Sequence, residues 1–515
     1  MNNPHSFQSS LEDTPNPKEK LAKFNTRILQ LYQQGQVQEA LNLSQQALIE
    51  FPNDTTLLPN AGIFATTIGD TTLAIKYFKR NITLNPDNAS GYYFLAKARA
   101  LQEKFKEAIN AYKKALRLDP NHIKARLELA LILTKQKKYT EAKQHYYQTL
   151  KLQPNSADAH SNLAALLVNL EDFQTAEAHY RKALDIDANH PSAAPKLSLL
   201  LLQTGNWTQG WQYYESRYTT PHPEKENVHM PNISTPMWQG EDLSGKSILV
   251  FPEQGFGDEL QFIRYASLLK SQKKAAYVIL VCRKPLKKLF STMECFQYII
   301  DEDEFKRANI QGLNYWVFNM SLPLHFNTTI DTIPNQLPYL HSPQAEQDNW
   351  KNKLPQGINI GLVWKGQAKH KNDKNRSLPS IKTLKPLWNL KNKSKHINFI
   401  SLQKDAGEDE AKNPPSDQPL IHLGTDIQDF SDTAAIVSQL DLVICVDTAI
   451  AHLAGSLNIP CWVLLPSHDT DWRWGLNKDN TPWYPNTIHL FRQTINGDWD
   501  EVINKVIDNM RPLYK

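Results

Sequence analysis

Small, aromatic and polar positions along the first 190 residues return with a single spacing. Pro52, Pro86, Pro120 and Pro154 stand 34 residues apart, and the same step reaches Ala188. Twelve residues before each of these is a small side chain: Ala40, Ala74, Ala108, Ala142 and Ala176. Eight residues before them is an aromatic ring in four units, Phe78, Tyr112, Tyr146 and Tyr180, with Ser44 in the first. A strict period of this length predicts stacked helical hairpins. The alanine belongs where the two helices of a unit approach closely, and the aromatic fills the gap to the next unit. The proline stops the second helix, which it cannot continue. A sixth unit is degraded: Leu197 and Leu201 keep the first helix, but Gly210 stands in place of the alanine. The segment from Gly205 to Tyr218 reads as a last helix that caps the stack or docks it on the next domain.

The pattern changes near residue 219. A polar, proline-bearing stretch to Pro236 reads as a linker or extended wrap. Short apolar runs then alternate with helix-like stretches. Ser247 to Phe251 suits a buried parallel strand. It is followed by Pro252-Glu253-Gln254-Gly255-Phe256-Gly257-Asp258 and a helical pattern through Leu269. Strand, glycine-rich turn and helix together open a doubly wound sheet. Tyr277 to Val281 and Tyr315 to Phe318 supply further strands. A second series opens at Ile358 to Trp364 and continues through Phe399 to Leu402, Ile421 to Leu423, Leu442 to Val446 and Cys461 to Leu465. A helix over about 498–510 closes the chain. The expected fold class is therefore α plus α/β multidomain: an α-solenoid followed by two Rossmann-like halves facing a cleft. The expected division is 1–19 as a disordered N-terminal segment and 20–218 as a solenoid of about five repeats with a degenerate sixth. Residues 219–244 are then a linker, 245–350 a first Rossmann-like domain, and 351–515 a second with the terminal helix.

Composition narrows the function classes. A chain of 515 residues holds about three domain-sized units. With 57 Lys and Arg against 53 Asp and Glu the net charge is +4, which gives no argument for nucleic acid or membrane surfaces as partners. The polar start Met1-Asn2-Asn3-Pro4-His5 lacks a signal-peptide core, and no apolar run is long enough to span a bilayer, so a cytoplasmic protein is expected. Cys282, Cys295, Cys445 and Cys461 show no paired metal spacing and are read as reduced thiols.

Four constellations in the second half carry candidate chemistry. In Gly255-Phe256-Gly257-Asp258 the glycines let the backbone approach a ligand and the helix start favours an anion. A dinucleotide fingerprint needs a third glycine where Leu260 stands, which argues against a nicotinamide or flavin cofactor. Asp258 reads equally as a helix N-terminal acid. The loop from Trp364-Lys365-Gly366 to Arg376-Ser377-Leu378-Pro379 holds Lys365, Lys369, Lys371, Lys374 and Arg376. It suits a diphosphate, or is a solvated basic loop. In Val446-Asp447-Thr448-Ala449-Ile450-Ala451-His452 a strand ends and a helix begins. Free N–H groups there face a phosphate at the usual ligand edge, and His452 reads as structural or as a ligand contact. Pro466 to Trp474 lines the same edge. Its Asp469 and Asp471 are too few for a metal site, and Trp472 and Trp474 form a pocket wall or domain packing.

The 34-residue period, with Leu95, Leu129 and Leu163 at matching first-helix positions, resembles the tetratricopeptide repeat (TPR) over about residues 20–190. The Glu253-Gln254-Gly-x-Gly-Asp258 opening, Arg376-Ser377-Leu378-Pro379, Ser401-Leu402-Gln403-Lys404 and Val446-Asp447-Thr448-x-x-Ala451-His452-Leu453-Ala454 together resemble the heptosyltransferase-like family, glycosyltransferase family 9. The whole chain is similar to bacterial proteins that join such a domain to TPRs. That resemblance implies a GT-B fold, a nucleotide diphosphate sugar as co-substrate and no metal or other cofactor. It implies Asp258 as general base toward an acceptor hydroxyl. It implies donor-phosphate contacts at Gly255, Gly257, Lys365, Arg376, Asp447, Thr448, Ala449 and His452, and a pocket near Gln254, Gln403, Asp471 and Trp472. Ala449 departs from the glycine that the family often has there. The resulting expectation is a metal-independent glycosyltransferase whose acceptor, a protein or peptide, is recruited by the TPR groove. The rival expectation is a non-catalytic TPR scaffold with a degenerate transferase domain.

Overall fold

The computed structural model describes residues 16–219, 228, 230–308, 312–390 and 396–511. Residues 1–15 of the expected N-terminal segment, and 220–227 and 229 of the expected linker, lie outside the described residues. The first helix starts at Pro17, so the last part of the expected 1–19 segment is helical. The chain forms two compact units, Met1–Ala188 and Asn189–Lys515.

The first unit is a run of helical hairpins: α1 Pro17–Gln33, α2 Val37–Glu50, α3 Leu57–Thr67, α4 Thr71–Leu84, α5 Ala89–Leu101, α6 Phe105–Leu118, α7 Ile123–Lys135, α8 Tyr139–Leu152, α9 Ala157–Asn169 and α10 Phe173–Ile186. The repeat positions explain why these helices pack. Ala40, Ala74, Ala108, Ala142 and Ala176 are fully buried, and so are Phe78, Tyr112, Tyr146 and Tyr180 to within 2%. Ser44 fills the aromatic position of the first hairpin and satisfies its hydroxyl on the Ala40 carbonyl at 2.7 Å. Asp70, Asn88, His122, Ser156 and Asp172 cap helix starts by accepting from backbone N–H groups, and the prolines fall just beyond the second helices. The first helices of neighbouring hairpins, α3, α5, α7 and α9, touch one another more closely than the second helices do. They therefore line the inner side of the solenoid's curve.

The second unit opens with one more hairpin, α11 Ala193–Thr204 and α12 Trp207–Tyr214. The sequence places it in the solenoid; the structure places it in the α/β unit. A Cβ added at Gly210 would stand 2.8 Å from Leu202, so glycine replaces alanine because these two helices approach more closely still. The hairpin then presents two tryptophans inward. Trp207 stacks on Trp483 at 5.3 Å, and Trp211 meets Trp472 edge-on at 5.4 Å while donating to the Thr328 carbonyl at 2.9 Å.

Two parallel sheets follow. Strands β1 Ser247–Phe251, β2 Tyr277–Cys282, β3 Tyr298–Asp301 and β4 Tyr315–Phe318 pair in the order β3-β2-β1-β4. Strands β5 Ile358–Val363, β6 Ile397–Ser401, β7 Ile421–His422, β8 Leu442–Val446, β9 Cys461–Leu465 and β10 Ile488–Arg492 pair in the order β10-β9-β8-β5-β6-β7. All ladders between these strands are parallel. The edge strands β3 and β10 were not expected. The expected continuous helix after β1 is broken into Phe256–Phe262, a 3₁₀ turn Ile263–Tyr265 and Ala266–Ser271, with the Arg264 side chain donating to the Gln261 carbonyl at 2.9 Å. The helix Trp499–Met510 packs on the six-stranded sheet, capped by Asp498. Trp238 and Leu243 of the expected linker are fully buried, and Trp238 N–H donates to the Trp316 carbonyl at 2.7 Å. That stretch wraps rather than hangs free. Among the described residues no helix is long and apolar enough to cross a membrane, and all four cysteines are free thiols.

Candidate functional site

Parallel sheets receive ligands beyond the carboxyl ends of their strands, where the strand order reverses. In the six-stranded sheet the order reverses between β5 and β8. The loop after β5 carries Lys365 and Arg376. The chain after β8 turns at Asp447-Thr448 into the helix Ala449–Ser456, and Thr448 makes no capping bond to it. The loop after β9 is joined to the loop after β5 by Asn372 Nδ2 donating to the Asp469 carbonyl at 2.9 Å. Three buried side-chain atoms here make no hydrogen bond to protein, Arg376 Nε, Thr448 Oγ1 and Ser467 Oγ, although Arg376 Nε is ion-paired with Asp373 Oδ1 at 3.6 Å. A helix N-terminus with an unbonded hydroxyl and a neighbouring arginine has the components of an anion site.

The four-stranded sheet reverses between β1 and β4. Beyond β1, Gly255 caps the helix Phe256–Phe262, and Asp258 Oδ2 accepts from Gly255 N–H at 2.8 Å. Asp258 Oδ1 accepts from Arg473, which comes from the loop after β9. Arg473 also donates to Asp471 Oδ2 at 2.8 Å and Gln261 Oε1 at 2.6 Å, and lies over the Trp472 ring. Asp258, Arg473 and Asp471 thus form one chain of charge, buried at Arg473 and partly open at the two aspartates, that ties the edges of both sheets. Behind it, Arg217 holds Glu253 through two bonds of 2.8 and 2.6 Å and donates to Ser321 beyond β4 at 2.8 Å.

Burial is the largest influence on Asp258 and lifts its carboxyl above the ordinary range, against Arg473 and the Gly255 N–H. Burial also opposes the charge on Arg473, but Asp471 and Asp258 outweigh it and hold the guanidinium above its ordinary value. Asp447 is pushed up to about 6 by burial and by Asp471, with Arg376, the Trp474 indole and Arg473 acting the other way. Two arginines and three aspartates therefore share one electrostatic neighbourhood.

Several sequence-derived site residues are used otherwise. A Cβ added at Gly257 would stand 2.9 Å from His452 Cδ2 and 3.6 Å from Ala449 Cα, so this glycine lets two helices meet rather than admitting a phosphate. His452 is buried, stacked on Trp474 at 5.2 Å and bonded through Nδ1 to Tyr484 at 3.0 Å. Burial, Arg473 and Arg264 hold it neutral, which makes it a packing residue. Gln403 is a buried clamp: its Oε1 accepts from the N–H groups of Trp364 and Lys365, both at 3.0 Å, and its Nε2 donates to the Lys365 and Ala406 carbonyls. Those bonds exhaust the amide, so it does not line an open pocket. Trp472 belongs to the tryptophan cluster with Trp207, Trp211 and Trp483. Lys365 is paired with Glu410 at 2.8 Å, and Gln254, at a positive φ of 60°, donates to Tyr214 Oη at 3.0 Å. Asp258, Arg376, Asp447, Thr448 and Asp471 remain together at the strand ends. The sequence reading omits Arg473 and Ser467, although both lie in a segment it singles out. Asp471 and Arg473, two residues apart, are the signal that could have found the first. Among the described residues no group of three or more His, Cys, Asp or Glu side chains is placed to hold a metal ion.

Residues 79–193 match the family model of the cytochrome c-type biogenesis protein H TPR domain. The first unit is therefore a TPR solenoid. Protein FlbA of Caulobacter vibrioides is 25% identical over 329 residues, an alignment covering 60% of this chain and 53% of FlbA. The chain thus spans about half the length of the curated relative it matches. Among solved structures, that of the MamA protein is 21% identical over 33% of this chain and 94% of its own, with a TM-score of 0.31. A thermophilic TPR protein of Thermus thermophilus, TTC0263, is 23% identical over 35% of this chain and 99% of its own, also at a TM-score of 0.31.

Proposed function

We propose that the α/β unit is a GT-B glycosyltransferase, which moves a sugar from a nucleotide diphosphate sugar to an acceptor hydroxyl, and that the TPR unit recruits the acceptor as a polypeptide. The observation that supports this reading best is the pair of donors at the reversal between β5 and β8: Thr448 Oγ1, which makes no hydrogen bond at the start of the helix Ala449–Ser456, and Arg376, whose Nε makes none either and is held by an ion pair with Asp373 at 3.6 Å. In this reading that edge holds the diphosphate, and Arg376 with the helix N–H groups stabilises the charge on it as the sugar leaves. Asp258 stands on the facing sheet edge and takes the proton of the acceptor hydroxyl as its oxygen attacks the anomeric carbon. Arg473 is a positioning residue that orients this carboxylate through one oxygen. For Asp258 to act as base, the oxygen bonded to the Gly255 N–H must turn to the acceptor.

One observation favours a second reading, in which the unit binds a nucleotide without transfer and serves the TPRs as a scaffold: both Asp258 oxygens are already engaged. Thermal unfolding of the full chain with UDP, GDP, ADP, CMP and their sugars tests both. Binding to the native state alone raises the melting temperature. The transferase reading expects a shift with one nucleotide diphosphate that weakens in Arg376→Ala, together with sugar transfer or donor hydrolysis that Asp258→Asn abolishes while the shift persists. A shift without any turnover in the wild-type chain supports the scaffold, and no shift with any nucleotide refutes the nucleotide site itself.

A further inference from the structure

The hairpin α11–α12 and the short helix after it, Ser216–Thr219, reach the turn that carries Asp258. In the middle of that turn Gln254 has a φ of 60°, which residues other than glycine rarely adopt. Such a conformation persists only where its surroundings over-determine it, and it concentrates at functional sites. Three groups hold it here. On one side Arg217 grips both oxygens of the buried Glu253, at 2.8 and 2.6 Å. At the strained residue itself, Gln254 Nε2 donates to Tyr214 Oη at 3.0 Å, and Tyr214 is buried at the end of α12. On the other side Arg283, beyond β2, donates to the Gln254 carbonyl and, at 2.7 Å, to Glu259, the residue after Asp258. Arg217 is fixed in turn by Glu215 at 2.6 Å, the Tyr214 carbonyl at 3.1 Å and Ser321 at 2.8 Å, and it lies 4.6 Å from the Tyr214 ring centre. Gly255 follows directly, gives its N–H to Asp258 Oδ2 at 2.8 Å and starts the helix on whose first turn Asp258 stands. Whichever way the carboxylate turns, its pivot is set by the placing of Glu253 and Gln254. Two of the three groups that place them come from the repeat-derived hairpin and its extension.

We propose that Tyr214 and Arg217 are positioning residues for Asp258, and that the degenerate sixth repeat serves the α/β unit as a clamp on the turn from which the proton acceptor projects. The proposal rests on the reading of this unit as a transferase with Asp258 as its base. A base acts only within hydrogen-bond reach of its proton, and a misplacement of about 1 Å costs on the order of a hundredfold in rate. The clamp holds the turn in a conformation that the sequence of the turn alone disfavours.

The test uses the full chain with Tyr214→Phe, which removes the hydroxyl and keeps the ring. Tyr265→Phe is the control: its hydroxyl is also buried, 2.9 Å from Thr328 Oγ1, and bonds away from the turn. Hydrogen–deuterium exchange read by mass spectrometry follows the turn directly. Tyr214→Phe should speed exchange of the 253–260 amides by about fivefold, the factor for one lost hydrogen bond, and Tyr265→Phe should leave it unchanged. In steady-state transfer or donor hydrolysis, Tyr214→Phe should lower kcat by about tenfold with the donor KM unchanged. Arg217→Lys, which keeps the charge and loses the fork, should behave in the same way, and Tyr265→Phe should keep the parent kcat. Unchanged exchange in Tyr214→Phe, an unchanged kcat, a rise in KM alone, or an equal loss in Tyr265→Phe overturns the proposal. A parent chain that neither transfers sugar nor hydrolyses any donor defeats the transferase reading and with it the role in catalysis. The exchange measurement separates that failure from a failure of the clamp, because it needs no donor.

Discussion

Replacing Asp447 by asparagine is expected to stabilise the α/β unit at pH 8 and to leave it unchanged near pH 4. The Asp447 carboxyl is pushed from 3.8 to about 6, first by burial and then by Asp471, and the opposing pull of Arg376, Trp474 and Arg473 does not restore it. A carboxyl whose folded value is raised favours the protonated fold. Its contribution is fully present below the unfolded value near 4 and is lost as pH rises through about 6. That rise corresponds to about 3 kcal/mol, and screening at the partly open strand ends reduces this to on the order of 1–3 kcal/mol above pH 7. Asparagine keeps the shape and an acceptor facing the Trp474 indole while removing the charge. The assay is urea unfolding of both chains at pH 4.5, 6 and 8 followed by tryptophan fluorescence. All 12 tryptophans lie at position 207 or beyond, so this signal reports the second unit alone. A difference between variant and parent that grows with pH is the expected result. Equal midpoints at every pH, or a less stable variant at pH 8, would show that the arginines already compensate the charge and that the reasoning is wrong. The same substitution should weaken function if Asp447 shapes the nucleotide edge, as stabilised sites often do.

Two further outcomes follow from packing and burial. Gly257→Ala should cost about 1–3 kcal/mol, because the new methyl meets the His452 ring while Ala449 Cα lies close behind. An unchanged urea midpoint would mean that the two helices part freely. In the solenoid, His160 Nδ1 lies 2.8 Å from His179 Nδ1 and its Nε2 faces the Pro154 carbonyl at 3.1 Å. Burial depresses both rings. Their contribution is therefore present above the unfolded histidine value and is lost as pH falls through the lower folded values. The melting midpoint by far-ultraviolet circular dichroism should fall between pH 7.5 and pH 5, and the fall should shrink in His179→Phe; an identical pH slope in that variant would remove the pair as its cause.

The repeat was legible because its small and aromatic positions recur in five units, where all five alanines and the four aromatics are buried and Ser44 stands in the first. The sheets were legible where apolar runs are central, as in β1, β5, β8 and β9. They were missed at one edge of each sheet, β3 and β10. In β3 the short run Tyr-Ile-Ile-Asp leaves Tyr298 exposed and shows no alternation, and β10 mixes Arg and His into its run. Asp258, Arg376 and the Asp447-Thr448 turn follow from a local rule, that ligands meet strand ends. Arg473 did not, because its meaning depends on Asp258, 215 residues away. Gln403 and His452 read as site residues for the same reason in reverse. A polar side chain near a strand end looks open to a ligand until its partners, here backbone groups of two loops and a tyrosine, are known.

The hairpin α11–α12 fixes where this protein can be cut in two. By its repeat pattern it belongs with the helices before it, and a fragment designed on that pattern would begin near residue 240. Such a fragment would leave Trp472 and Trp483 without Trp207 and Trp211, and Thr328 without the indole that binds its carbonyl. It would also discard Arg217 and leave Glu253 as a buried carboxylate with no counter-ion. A fragment opened at Asn189 keeps all of these contacts. The period of the sequence and the seam of the molecule thus fall about one hairpin apart, and truncations, domain swaps and protease maps of this chain should follow the seam.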